Sequence, residues 1–118
     1  MLNLSEVTQN RIAVLKASGT ITKEEVEHIE PLIEGAISHG EPLNFYIELM
    51  DFSGMELSAL KEDVTFDFKH KDHYGKIAIV GESKWQDWAT RFCDIVFDAP
   101  MQYFDHTQSD EAWQWLNN

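Results

Sequence analysis

Alternation of apolar and polar residues at period two opens the chain, and helical spacing takes over further along it. Leu2 and Leu4, interrupted by Glu6 and followed by Val7, predict an edge strand over Leu2–Thr8. Gln9 and Asn10 make a turn. In Arg11–Ala17, Ile12 and Val14 point one way and Ala13, Leu15 and Ala17 the other, as expected of a strand further inside a sheet, with Gly19 ending it. Thr22 followed three residues later by Glu25 is a capping box that opens a helix with Val26, Ile29, Ile33 and Ile37 inward. Pro31 removes a backbone donor and predicts a kink or an irregular first turn, and Gly40 supplies the stop.

Leu43–Leu49 reads as a central strand with Phe45, Ile47 and Leu49 on one face and Tyr46 between them, and Met50 to Glu56 reads as a loop. From Ser58 to His73, Leu57, Leu60, Val64 and Phe68 fall on one side of an amphipathic helix, with Phe66 roughly opposite. Lys76–Val80 is a further strand after Gly75. Ser83 and Gln86 suggest a second capping box, opening a helix over Ser83–Phe97. Pro100–Asp105 predicts a last strand, Thr107–Asp110 a cap and first turn, and Ala112, Trp113 and Leu116 the buried side of a terminal helix.

The element order is therefore β-β-α-β-α-β-α-β-α, a single domain over residues 1–118: a hairpin, then strands alternating with four helices. That order predicts an α/β fold with a mixed, mainly parallel sheet and right-handed crossovers. Helix N-termini then gather at the carboxyl ends of the strands, where open α/β sheets place ligands. That rim would hold Asp51, Ser58, Glu82, Ser83 and His106.

The helix after Lys76–Val80 has more apolar surface than one core contact can use. Trp85, Trp88, Ala89, Phe92, Cys93, Ile95, Val96 and Phe97 spread over more than half its circumference, whereas a surface helix carries a stripe of roughly 100°. Two explanations stand side by side. Protein layers cover the helix on both sides, or Trp85, Trp88 and Phe92 face Leu60, Val64 and Phe68 across a cleft that parts to admit an apolar ligand, a bilayer surface or a second subunit. Homodimerisation through this surface would itself account for it.

Charge narrows the partners. The net charge is -12, so a polyanion would meet long-range repulsion and nucleic acid is not expected. From Lys61 to Arg91, six basic and six acidic residues balance, so the whole excess lies outside that segment. This is either an ordinary mixed-sign face or a surface kept free of repulsion toward an anionic bilayer or acidic partner. The start, MLNLSEVTQN, has neither a basic region nor a long apolar run, and the single cysteine cannot form an internal bridge, so a reducing, cytoplasmic setting is expected.

Catalytic motifs do not assemble. G-x-S-x-G, Gly-rich phosphate loops, G-x-G-x-x-G and C-x-x-C are all absent, so no enzyme activity, cofactor or metal is expected. His70 and His73 have metal-ligand spacing but read better as a solvated helix end. Cys93 has no histidine partner in its segment and reads as core filler.

The Asp51-Phe52 start, the helix ending Phe68-Lys69-His70, the KIAIVGESKWQDW segment, Tyr103-Phe104-Asp105 and the closing EAWQWL resemble the SpoIIAA-like family, small bacterial proteins of STAS-domain type. The resemblance covers nearly the whole chain. It implies a four- to five-stranded sheet flanked by helices, no enzyme activity, and two central helices that part to bind an apolar ligand and approach membranes. The related anti-sigma-factor antagonists are phosphorylated on the serine of an Asp-Ser pair at the start of the helix after the third strand. Here that position is Ser58, preceded by Glu56-Leu57, so the pair is missing and Ser58 reads as an N-cap, worth about 1 kcal/mol. A phosphorylation-switched regulator is the alternative the resemblance leaves.

Overall fold

The computed structural model describes residues 1–37, 42–55, 74–90 and 100–118. They build a five-stranded sheet in the order β1-β2-β3-β4-β5, from Leu2–Val7, Ile12–Ile21, Leu43–Met55, Tyr74–Gly81 and Met101–Asp105. β1 runs antiparallel to β2, and every later pairing is parallel. The expected mixed, mainly parallel sheet is therefore present. Two helices are complete among the described residues, α1 (Lys23–Ile37) and α2 (Ser109–Asn117), and residues 86–90 form a further helical turn. The remainder of the helix expected over Ser83–Phe97, and all of that over Ser58–His73, lie outside the described residues.

Strand parity divides the apolar residues into two layers. On the front face Ala13, Leu15 and Ala17 of β2, Phe45 and Leu49 of β3 and Ile77 and Ile79 of β4 meet Val26, Ile29 and Ile33 of α1, together with Ala89. On the back face Ile12, Val14, Tyr46, Ala78, Val80 and Phe104 meet Ala112 and Leu116 of α2. Tyr46 stacks on Trp113 there, with ring centroids 4.6 Å apart and planes 13° from parallel. α1 and the 86–90 turn share the front face because right-handed crossovers between strands added in one direction fall on one side of a sheet.

The capping box on α1 forms as the sequence predicts. Glu25 N–H donates to Thr22 Oγ1 at 3.3 Å, and Thr22 N–H returns a bond to Glu25 Oε1 at 3.4 Å. Glu25 also accepts from Leu2 N–H at 2.6 Å, which ties the edge strand to the helix. Burial raises its carboxyl, but the Leu2 N–H, the Met1 ammonium and the Thr22 N–H together outweigh that and hold it below the usual carboxylate range. α1 continues through Pro31.

Basic side chains from neighbouring elements satisfy the carboxyl ends of both helices. Arg11 Nη2 donates to Ala36 O at 2.7 Å, and Lys76 Nζ donates to Trp115 O at 3.0 Å. Asn44 joins three elements: its N–H donates to Arg11 O at 2.9 Å, its Oδ1 accepts from Lys76 N–H at 2.8 Å, and its Nδ2 reaches Leu116 O at 3.5 Å.

Several boundaries differ from the sequence reading, each for a reason in the backbone. Gly19 does not end β2; it sits within the strand at φ 60 and the strand runs to Ile21. β3 likewise runs on through the stretch read as a loop, because it bulges against β2. Ala17 pairs with Leu49, Gly19 with Phe52 and Thr20 with Gly54, so β3 carries an extra residue in each step. Asp51, at φ 50, takes up the first of these. β4 spans Tyr74–Gly81, longer by a few residues than expected.

The second capping box does not form. Glu82 occupies the N-cap position without a side-chain bond, and Ser83–Trp85 is a 3-10 turn in which Trp85 N–H donates to Glu82 O at 3.1 Å. The cap expected at Thr107 lies instead at Asp105, where it opens a 3-10 turn over His106–Gln108 that leads into α2, whose own N-cap, Gln108, makes no side-chain cap bond. Asp105 Oδ2 accepts from Thr107 N–H at 3.1 Å and Thr107 Oγ1 at 2.7 Å, and Gln108 Oε1 accepts from Asp105 N–H at 3.1 Å. The Thr107 hydroxyl and N–H keep the Asp105 carboxyl below its ordinary range.

Candidate functional site

The bulge in β3 has a direct consequence for the front face. With regular alternation the residue two beyond Leu49 would share its side, and that residue is Asp51. The extra residue returns Phe52 to the core side instead, where it is only 6% exposed. Two tryptophans from the segment after β4 close on it.

Trp85 meets the Phe52 ring edge-on with centroids 4.8 Å apart, and Trp88 tilts against it at 5.1 Å. The indoles also meet each other edge-on at 5.9 Å. Such tilted and edge-to-face arrangements each add about 0.5–1.5 kcal/mol beyond area burial. Ala89 is fully buried beside them, whereas Trp85 and Trp88 remain half-buried.

Tyr103 of β5 positions the turn that carries Trp85. Its hydroxyl donates to Glu82 O at 2.5 Å, the same carbonyl that accepts from Trp85 N–H. Gly81 makes room for that hydroxyl: a Cβ there would lie 2.9 Å from Tyr103 Oη and 3.0 Å from Leu49 Cβ. Burial, reinforced by the Asp105 and Glu82 carboxylates, pushes the Tyr103 phenol up to about 12, so it stays protonated as a donor at neutral pH.

One polar atom in the cluster has no partner. Trp85 Nε1 is buried and makes no hydrogen bond. Glu82 O, the acceptor of its own turn, already receives two donors.

Of the residues expected to line a cleft, Trp85 and Trp88 are brought together on Phe52. Leu60, Val64, Phe68 and Phe92 lie outside the described residues, as do Ser58, His70, His73 and Cys93. Glu82 and Ser83 follow β4 and His106 follows β5, at the expected rim, whereas Asp51 sits inside β3 at the bulge. His106 Nδ1 lies 3.6 Å from Asp105 Oδ2. Among the described residues no three His, Cys, Asp or Glu side chains group as metal ligands, and no helix is long and apolar enough to cross a membrane.

Phe52 and Tyr103 were absent from the sequence-derived site. Phe52 is hidden by the bulge, since nothing local in Met50–Met55 marks a strand that changes parity. Tyr103 lies on the front face, opposite Phe104, and nothing local in the sequence marks its bond to Glu82.

No curated protein matches the chain. It is similar to a crystal structure from Shewanella loihica PV-4, described as an uncharacterized protein of the DUF3478 family with a SpoIIAA-like fold. The identity is 26%, the TM-score is 0.79, and the match covers 98% of this chain and 93% of that one. The SpoIIAA-like family model matches residues 12–117, nearly the whole described fold. The chain therefore belongs to the SpoIIAA-like family and shares its fold.

Proposed function

We propose that the protein is a binding module that takes an apolar or lipid-like ligand at the aromatic end of its front face and through it associates peripherally with membranes. The ligand lies between the two central helical segments, against Trp85, Trp88 and Phe92 on one side and Leu60, Val64 and Phe68 on the other. One observation carries this reading: two indoles pack on Phe52 at the carboxyl end of the sheet, Trp85 edge-on and Trp88 tilted, and both remain half-buried. Fully burying a large apolar side chain is worth about 1.5–3 kcal/mol, so two half-covered indoles leave a sizeable part of that for a ligand to supply. The position, at the carboxyl ends of parallel strands, is where open α/β sheets admit ligands.

Charge supports the same side as the one that approaches a bilayer. The net charge of -12 opposes an anionic surface, yet Lys61–Arg91, which contains both tryptophans, is balanced. Native mass spectrometry of protein purified without detergent, paired with co-sedimentation on zwitterionic and mildly anionic vesicles, tests the proposal. A bound amphiphile, and pelleting that weakens in Trp88→Ser, is expected. Protein that carries no amphiphile and stays in the supernatant with both vesicle types would sink it, and a dimer seen instead would assign the apolar surface to a second copy.

A further inference from the structure

We infer that the Trp85 indole N–H is the polar anchor of this site, and that the ligand class it selects is an acyl compound with a neutral carbonyl oxygen, such as a fatty ester. The inference rests on the ligand-binding reading above and adds the ligand's head-group chemistry to it.

Buried donors are almost always paired, so a buried one without a partner calls for an explanation. Trp85 Nε1 is such a donor, enclosed within an aromatic cluster. Its own turn cannot satisfy it: Glu82 O takes the Trp85 backbone N–H and the Tyr103 hydroxyl, which uses both lone pairs. Nor can the ring rotate freely to solvent while it is held edge-on to Phe52 at 4.8 Å and to Trp88 at 5.9 Å.

An indole N–H only donates, so its missing partner is an acceptor and not a cation. The rings beside it are apolar, so the acceptor arrives on an apolar body. Charge then selects among acceptors. The chain carries -12 overall, and Glu82 and Asp105 already act together on the neighbouring Tyr103 phenol. A further carboxylate there would add repulsion, whereas a neutral carbonyl adds none. The orphan donor thus fixes the head group, and Phe52 and Trp88 accept the chain next to it.

The test uses two ligands of equal chain length, methyl decanoate, which has an acyl acceptor, and decyltrimethylammonium, which has none. In the wild-type protein the indole proton of Trp85, followed in proton–nitrogen correlation spectra, moves downfield with methyl decanoate and does not do so with the ammonium compound. Trp85→Phe keeps an aromatic ring on Phe52 but no donor. It binds methyl decanoate about tenfold more weakly, the scale of one hydrogen bond, and binds the ammonium compound as the wild type does. If methyl decanoate binds but leaves the indole proton in place and binds Trp85→Phe equally well, the anchor is overturned while the ligand-binding reading stands. If neither ligand binds, both fall. The wild-type spectra decide the matter even where Trp85→Phe does not fold.

Discussion

Replacing Gly81 with alanine tests how the turn bearing Trp85 is positioned. The added Cβ would meet Tyr103 Oη at 2.9 Å, Leu49 Cβ at 3.0 Å and Leu49 O at 3.4 Å, all inside the ~3.5–4.0 Å at which carbon contacts are most favourable. Either the strands spread or the tyrosine leaves. Overpacking of this kind costs about 1–3 kcal/mol, and displacing the hydroxyl from Glu82 O forfeits about 1 kcal/mol more. Alanine in a strand interior recovers about 0.5–1 kcal/mol through the unfolded chain, so the net loss should be about 2 kcal/mol. Tyr103→Phe alone should cost about 1 kcal/mol by losing one hydrogen bond. In the double variant the nearest clashing atom is gone and the bond cannot be lost twice, so the combined cost should be about 2 kcal/mol rather than about 3 kcal/mol. Urea unfolding followed by far-ultraviolet circular dichroism gives all four corners of the cycle. Additivity within about 0.5 kcal/mol, or a Gly81→Ala protein as stable as the wild type, would refute the packing of Tyr103 on Gly81.

The same hydroxyl predicts an alkaline effect: its folded value is raised from 10.0 to about 12, so the stability it gives is complete below about pH 10 and is lost as pH climbs toward 12. With solvent screening of a half-buried group allowed for, that loss is on the order of 1 kcal/mol, and the gap between wild type and Tyr103→Phe should close over this window in pH-dependent denaturant unfolding. Gly75→Ala would set a Cβ 2.1 Å from Asn44 Oδ1, so Asn44 must abandon Lys76 N–H; thermal unfolding should show a loss of about 1–3 kcal/mol that Asn44→Ala in the same chain partly relieves. Lys76→Met removes the ammonium from Trp115 O at 3.0 Å and from the Trp115 ring at 5.5 Å, for a loss of about 1 kcal/mol that narrows in high salt.

The sheet's two layers could be read from alternation alone. Ala13, Leu15 and Ala17 against Ile12 and Val14, and Phe45 and Leu49 against Tyr46, fall on the faces their parity predicts, because a strand buried on both sides leaves both sets apolar. The Thr22–Glu25 box was legible because both partners lie within one helical turn. Features set by pairing between strands were not. The bulge that extends β3 past Leu49 exists only in its register with β2, and Met50–Met55 by itself, rich in turn-forming residues, reads as a loop. Phe52, the floor of the aromatic cluster, was lost with it. Ser83 and Gln86 have the spacing of a cap, yet a 3-10 turn on Glu82 O takes the place of the cap that spacing predicts. The aromatic richness of the tryptophan segment was plain in the sequence; that Trp85 would bury an unpaired N–H depends on the Tyr103 bond across the sheet and has no local signature.

The four tryptophans divide between the two faces, which gives the central claim a direct measurement. Trp85 and Trp88 lie on Phe52 at the front, while Trp113 stacks on Tyr46 and Trp115 lies 6.0 Å from Phe104 at the back. Bromine quenches indole emission only at near contact, so methyl decanoate brominated at its chain end reports which pair it touches. A ligand site on the front face predicts quenching in the wild type and none in a Trp85→Phe, Trp88→Phe double variant, whose remaining emission comes from the back. Emission that is unquenched in the wild type, or quenched equally in the variant, would contradict it.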